Sequence, residues 1–127
     1  MKIRIKGNSI RYRLTQTEVQ TLSKEGILTE ETCFGPEENQ KLLYSVEAKQ
    51  GIPHLDAAFQ HNRITLYIPG QDAGEWPTSE RVGFQHHLQV TPETSLFLLL
   101  EKDFVCLDDV AEDQSDNYPN PRYEKRD

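Results

Sequence analysis

The sequence has little of what marks a membrane, secreted or disulfide-rich protein. Its longest apolar run is Leu96–Leu100, far short of the ~20 residues that a helix needs to span a bilayer. Residues 1–6 alternate cationic and aliphatic side chains, and no apolar signal-peptide segment follows them. The two cysteines, Cys33 and Cys106, are too few for a disulfide framework. We therefore expect no membrane association, reduced thiols and a cytoplasmic location.

The sequence also lacks the short motifs that announce particular chemistry. It has no Gly-rich phosphate loop, no Cys-x-x-Cys, no His-Glu-x-x-His and no Gly-x-Ser-x-Gly. Its acidic run has neither the glycine nor the acid spacing of a calcium loop. We expect no cofactor, and the balance leans against an enzyme, although active sites also assemble from residues that are distant in sequence.

Charge is unevenly distributed along the 127 residues, a length typical of one domain. The net charge is −7, yet residues 1–14 carry five cations and no acid, whereas residues 108–127 carry seven acids and three bases. An acidic protein is a poor general binder of nucleic acid. We expect a single α+β domain over residues 1–107, with residues 108–127 as an acidic, proline-containing tail packed in part on the body.

The first two strands and the first helix have clear local signals. Residues 2–6 and 10–14 alternate apolar and basic around Gly7-Asn8, which predicts a two-residue hairpin. In that register Ile5 faces Ile10 and Arg4 faces Arg11. Thr15 and Glu18 have capping-box spacing, and Gly26 suits a left-handed C-terminal residue. We expect a helix over residues 16–25.

The rest of the chain reads as strands without intervening long helices, which argues against a parallel βαβ sheet. The predicted strands are 31–34, 42–49, 63–68, 84–91, 96–100 and 104–107. The apolar 96–100 segment reads as a central strand, and residues 69–82 read as a long loop. No convincing internal repeat is present. We expect a mainly antiparallel α+β fold, a curled sheet or partly closed barrel with one helix after an N-terminal hairpin.

The basic side of the hairpin is the strongest candidate site, because like charges directly opposite on a sheet are destabilising. Three explanations are open: an anionic ligand, the acidic stretch Asp108–Asp116 lying nearby, or a solvated surface. The candidate anion-binding residues are Lys2, Arg4, Lys6, Arg11 and Arg13.

Other chemistry-bearing residues have ordinary structural explanations. His86 and His87 are adjacent on a predicted strand and point to opposite faces, so they cannot ligate one metal together without a bulge. His54, His61, Cys33, Cys106 and Asp103 are the remaining candidate ligands, and we expect no metal site. Cys106, between two aliphatic residues, reads as a buried hydrophobe. Trp76 reads as a core residue, with a ligand or loop anchor as the alternative.

Several segments resemble a family of short bacterial proteins of unknown function, and the likeness runs over most of the chain. They are residues 2–11, the Trp76–Gly83 loop, residues 101–107 and the segment from Glu112 to Pro121. The resemblance implies a bacterial cytoplasmic setting and carries no activity, ligand or catalytic residue. We expect a small non-enzymatic binding domain, with a homo-oligomer or a protein partner left open. The alternative is a small hydrolase or phosphotransfer enzyme acting on an anionic substrate.

Overall fold

The computed structural model describes residues 1–104 and 115–119, which form eight strands and two α-helices. The strands are β1 (Lys2–Lys6), β2 (Ser9–Leu14), β3 (Ile27–Cys33), β4 (Lys41–Lys49), β5 (Asp56–Gln60), β6 (Arg63–Pro69), β7 (Gly83–Thr91) and β8 (Thr94–Lys102). The helices are α1 (Gln16–Glu25) and α2 (Gly70–Glu75), and two single 3-10 turns span Glu38–Gln40 and Trp76–Thr78.

The N-terminal hairpin and α1 form as the sequence predicts. Ile5 pairs with Ile10 and Arg4 with Arg11 across the β1–β2 turn, where Gly7 adopts a φ of 54° that a two-residue hairpin turn favours at its first central position. Both hydrogen bonds of the capping box between Thr15 and Glu18 are present. Gly26 ends the helix in the left-handed region with its N–H donating to the carbonyl of Leu22.

The strands form two four-stranded sheets, not the curled sheet or partly closed barrel that the sequence suggested. Sheet I has the order β1-β2-β8-β7 and sheet II the order β3-β4-β6-β5. Most neighbours are antiparallel, but the central pairs β2–β8 and β4–β6 are parallel. Parallel neighbours need a long connection. The segment from α1 to β7 connects β2 to β8, and residues 50–62, which include β5, connect β4 to β6. The apolar segment 96–100 lies in β8, a central strand as predicted.

Two further elements differ from the sequence prediction. The expected loop 69–82 contains α2, so the fold has a second helix. Its sequence Gly70-Gln-Asp-Ala-Gly-Glu75 has two glycines and low intrinsic propensity, and packing against α1 holds it. β5 has no predicted counterpart because it contains two alanines and turns through His61-Asn62, both with positive φ, instead of the usual Asn-Gly.

The two halves of the chain have the same topology, which the sequence did not reveal. Each half runs hairpin, helix, hairpin, and each sheet combines one hairpin from each half. Ser9 pairs with Phe97 in sheet I, and Arg63 pairs with Leu43 in sheet II. Arg63 follows Ser9 by 54 residues, and Phe97 follows Leu43 by the same number. Residue n of the first half therefore corresponds to residue n + 54 of the second half. Few corresponding residues are identical, although Ile10 and Ile64 are.

One hydrophobic core lies between the inner faces of the two sheets and beneath the helices. Tyr12 and Leu100 of sheet I and Val46 and Leu66 of sheet II are almost fully buried in it. The hydroxyl of Tyr12 donates to the carbonyl of Ile64 at 3.2 Å, which joins the sheets across the core. This packing leaves the outer face of each sheet free to carry polar side chains.

The described part of the C-terminal segment, residues 115–119, lies against the body. Asp116 accepts from the backbone N–H of Gln16 and from the Thr17 hydroxyl, both at 3.1 Å. Tyr118 forms an isolated bridge with Phe104, the first residue of the predicted strand 104–107. The remainder of that strand lies outside the described residues.

Candidate anion-binding face

The alternating pattern of β1 and β2 places five cations on one side of the sheet. Their aliphatic neighbours, such as Ile3 and Tyr12, turn inward, and the register sets Arg4 opposite Arg11 and Lys2 opposite Arg13. We define the basic face as the outward side chains of this hairpin, which are Lys2, Arg4, Lys6, Arg11 and Arg13. Because all five lie on the outer surface of sheet I, their charges act on the same side of the molecule.

Glu101, which no local sequence signal links to this face, holds two of its arginines in place. Glu101 lies on β8, opposite Arg13 in the parallel pairing. Its Oε1 accepts from the Nε of Arg11 at 2.6 Å and from the Nε of Arg13 at 2.9 Å. Glu101 is the one acid among the outward side chains of the four strands of sheet I. Its position at the end of an apolar run signals a surface residue, but no local pattern says which strand lies beside it.

Lys2 lies opposite Arg13, at the end of the hairpin away from the turn, and contacts a different acid. Its Nζ is 3.1 Å from Oδ2 of Asp103, which is almost fully buried. Asp103 follows β8 and also bonds to the body through its backbone, its N–H donating to the Leu14 carbonyl at 2.9 Å. Lys2 is therefore held by the fold at this end of the basic face.

Arg4 and Lys6 differ from the other three cations. Both are exposed, and neither forms an ion pair with any residue in the described ranges 1–104 and 115–119. They line a shallow groove of about 250 Å³ together with Ser9 and Arg11. Phe97 and Leu99, outward residues of β8, form its apolar floor. A neighbouring groove along Lys2, Arg4 and Arg13 continues the cationic surface.

The acidic C-terminal segment does not approach the basic face through its one described acid. Asp116 lies at the start of α1, where it contacts Gln16 and Thr17. The other acids of the predicted Asp108–Asp116 contact lie outside the described residues. Within residues 1–104 and 115–119, the carboxylates that contact cations of the basic face are Glu101 and Asp103.

Trp76 is a core residue. It is 1% exposed, packs edge-on against Phe84 with 5.1 Å between ring centroids, and donates from its indole nitrogen to the carbonyl of Arg81 at 2.8 Å. Lys102 lies between this indole and the Tyr118 ring, and burial lowers its pKa. These contacts fix the end of the core, whereas the basic face lies on the opposite side of sheet I.

The histidines lie in separate places. His86 stacks on His54 with 4.6 Å between ring centroids, and His87 contacts Phe97 on the outer side of sheet I. His86 and His87 thus occupy opposite faces of β7, as the alternation predicts. His61 lies in the β5–β6 turn. In the part of the chain that the structure describes, no three His, Cys, Asp or Glu side chains are grouped so that they could hold a metal ion.

Comparison with known proteins gives a family and no activity. A model of a family of unknown function, DUF7009, matches residues 1–122. No curated protein and no solved structure matches the chain. Among the described residues, no helix is long and apolar enough to cross a membrane. The chain belongs to the DUF7009 family, whose function is unknown.

Proposed function

We propose that this chain is a non-enzymatic binding domain whose basic face holds a small phosphate-bearing anion. The observation that carries the proposal is the groove between Arg4, Lys6 and Arg11, in which two exposed cations have no ion-pair partner among residues 1–104 and 115–119. Guanidinium groups match phosphate oxygens with two-point geometry, and a lysine adds a compact charge. The net charge of −7 favours a small anion over an extended polyanion such as nucleic acid.

The other sheet serves as an internal comparison that supports this proposal. Positions equivalent to the five cations of the basic face carry no net positive charge in sheet II. The equivalent residues are Asp56, Ala58, Gln60, Thr65 and Tyr67. Both hairpins have the same pairing, so the fold itself does not require cations at these positions. Directly opposed cations cost up to ~1 kcal/mol per pair, and a bound anion would offset that cost.

Glu101 orients one of the arginines beside the groove, although its charge also neutralises part of the basic face. Its carboxylate holds the Nε of Arg11 at 2.6 Å, which restricts the guanidinium beside the groove before any ligand arrives. Ordering a long side chain in advance reduces the entropy lost on binding. The proposed roles are therefore distinct: Arg4 and Lys6 supply unneutralised charge, and Arg11 supplies a fixed fork of donors.

The proposal is tested by titrating pyrophosphate into the full chain at low ionic strength in a calorimeter. Replacing Arg4 and Lys6 together by glutamine should weaken binding about tenfold or more, since each lost charge-assisted contact is worth ~1.5–3 kcal/mol. The matched control replaces Lys24 and Lys49, which removes the same charge from α1 and sheet II, and should change affinity less than about twofold. Equal losses in both variants, or no binding by the wild type, would overturn the proposal.

We also propose a cytoplasmic setting in a bacterium. Cys33 is exposed and unpaired as a thiol, which suits a reducing compartment. Both Cys33 and Cys106 should titrate as free thiols when the purified chain is denatured without reductant. A disulfide between them in protein isolated under non-reducing conditions would contradict this setting.

A further inference from the structure

The groove in the basic face has an aromatic floor on the same side of sheet I as its cations. The register across the sheet sets one residue of each strand in a row, in the order β1-β2-β8-β7: Lys6, Ser9, Phe97 and His87. Directly paired residues lie on the same face of a sheet, so this whole row points outward. Lys6 and Phe97 also line the same groove of about 250 Å³. The cationic and aromatic surfaces therefore form one continuous site.

The ring of Phe97 is held from one side, and a short side chain lies on the other. Toward β7, the ring packs against His87 with 4.7 Å between ring centroids and 36° between the planes. Toward the cations, its neighbour is Ser9, whose hydroxyl donates to the carbonyl of Lys6 at 2.6 Å. Phe97 is only half-buried. A flat ring that lies over Ser9 would therefore stack against a phenyl group that is already fixed in place.

The equivalent row of sheet II has no aromatic floor. The same pairings identify its members as Gln60, Arg63, Leu43 and Glu31. Arg63 occupies the position of Ser9 and reaches over β4, where its Nη1 donates to the hydroxyl of Ser45 at 3.0 Å. Leu43 occupies the position of Phe97. The open aromatic floor beside cations is thus specific to sheet I and is not required by the fold.

The strand spacing indicates the size of a ligand that would cover this site. β1, which carries Arg4 and Lys6, lies two strands from β8, about 10 Å at a spacing of ~4.8 Å per strand. Inorganic phosphate bound by these two cations would leave Phe97 uncovered. A phosphate that is joined to a planar ring, directly or through a sugar, would reach both.

The composition of this face favours a single ring over a nucleic-acid strand. Proteins that bind single strands stack successive bases on several aromatic side chains along a positively charged groove. Among the described residues, Phe97 is the one phenyl ring that points outward from sheet I, and the net charge of −7 opposes a long polyanion. The face therefore suits one ring and one phosphate.

We propose that the ligand of the basic face is a phosphate monoester that carries a planar aromatic ring, with the phosphate at Arg4, Lys6 and Arg11 and the ring stacked against Phe97. The inference rests on the proposed anion-binding function and names the class of its ligand. Nucleotides and aryl phosphates share this chemistry, and matched ligands distinguish these two sources.

The experiment measures two matched pairs of ligands by calorimetry with the full chain at low ionic strength. Adenosine monophosphate is compared with ribose phosphate, and phenyl phosphate with cyclohexyl phosphate. In at least one pair the aromatic member should bind about fivefold tighter or more, the size expected for one stacked ring. A gain in the first pair alone means that the sugar is needed, as in a nucleotide, whereas a gain with phenyl phosphate means that a directly attached ring suffices.

Phe97→Leu should abolish this gain and leave the affinity for ribose phosphate unchanged, because leucine keeps an apolar side chain there, as Leu43 does in sheet II, but has no ring. Phe59→Leu is the matched control and should keep the gain, since Phe59 is an exposed residue of β5 and does not line this groove. Chemical shifts of the labelled wild type give a check without substitution. The aromatic esters should shift the amides of Phe97 and His87 through their ring currents, and ribose phosphate should not.

The remaining outcomes separate this inference from the anion-binding function. If ribose phosphate and cyclohexyl phosphate bind and neither aromatic partner binds tighter, the ring inference fails while the anion-binding function stands. If no phosphate compound binds, both fail. Binding of adenosine as tightly as adenosine monophosphate, an aromatic gain that survives in folded Phe97→Leu, or much tighter binding of oligoadenylate than of the mononucleotide would each overturn the inference.

Discussion

Glu101 bridges Arg11 and Arg13 of the basic face, whose positive charges would otherwise repel each other. One carboxylate oxygen accepts from both Nε atoms, at 2.6 and 2.9 Å, and the side chain is mostly buried beneath them. The carboxylate therefore stabilises the fold and at the same time neutralises part of the surface on which an anion would bind. The ion pairs raise the stability of the fold, whereas the negative charge lowers the affinity of the basic face for an anion.

Glu101→Gln separates these consequences. Loss of the charge should lower the free energy of unfolding by about 1 kcal/mol, as expected for partly exposed ion pairs, and should tighten pyrophosphate binding by a few-fold because the face becomes more positive. Urea unfolding and calorimetry measure the two effects. The control Glu47→Gln changes the equivalent residue of sheet II and should leave affinity unchanged; a loss of affinity in Glu101→Gln would mean that orientation by Glu101 outweighs its charge.

Tyr12 is a buried polar residue with a distinct pH signature. Burial raises its pKa well above the usual value, because the phenolate is disfavoured in the core. The folded chain therefore holds this proton more strongly than the unfolded chain. Its contribution to stability is complete below about pH 10, the pKa of an unfolded tyrosine, and is lost as the pH rises above that value.

Tyr12→Phe should cost about 1 kcal/mol at neutral pH, since the hydrogen bond to Ile64 is removed. Above about pH 10 this difference should shrink by up to ~1.4 kcal/mol per pH unit, because only the wild type has a buried phenol to ionise on unfolding. Urea unfolding between neutral and alkaline pH measures the difference. Tyr67→Phe, on the outer face of sheet II, is the control, and a parallel pH dependence in wild type and Tyr12→Phe would contradict this account.

At the scale of elements, α1 and the first hairpin were predictable because their signals are local. The turn residues and the strict alternation define the β1–β2 register, and the Thr15 and Glu18 pair defines where α1 begins. The partnership of β2 with β8 is different, since more than eighty residues separate Ser9 from Phe97 and no local pattern selects a partner. For that reason the five cations were identified from the sequence, whereas the contact of Glu101 with them was not.

Thr15→Ala tests whether the capping box of Thr15 and Glu18 stabilises the start of α1. Its side chain accepts from the backbone N–H of Glu18, and loss of an N-cap typically costs about 1 kcal/mol. Thr21→Ala is the matched control, because Thr21 lies in the helix interior, where its hydroxyl donates to the carbonyl of Thr17 and alanine is neutral or slightly stabilising. Urea unfolding should separate the two variants, and equal stabilities would show that the Thr15 hydroxyl does not act as the cap.

At the scale of the molecule, two halves with one topology carry different surfaces. The inner residues of both halves remain apolar, as Tyr12 and Leu66 or Val19 and Ala73 illustrate, because both contribute to one core. The outer residues diverge, with cations on sheet I and a mixed surface on sheet II. The divergence of exposed positions on a shared scaffold is the reason to assign binding to one face.

Chemical-shift mapping with pyrophosphate tests this assignment most directly. Titration of the isotopically labelled full chain should shift the backbone amides around Arg4, Lys6 and Arg11 in a saturable way. The equivalent amides around Ala58, Gln60 and Thr65 should not move. Shifts of similar size on both sheets, or none on sheet I, would contradict the claim that the basic face is an anion-binding site.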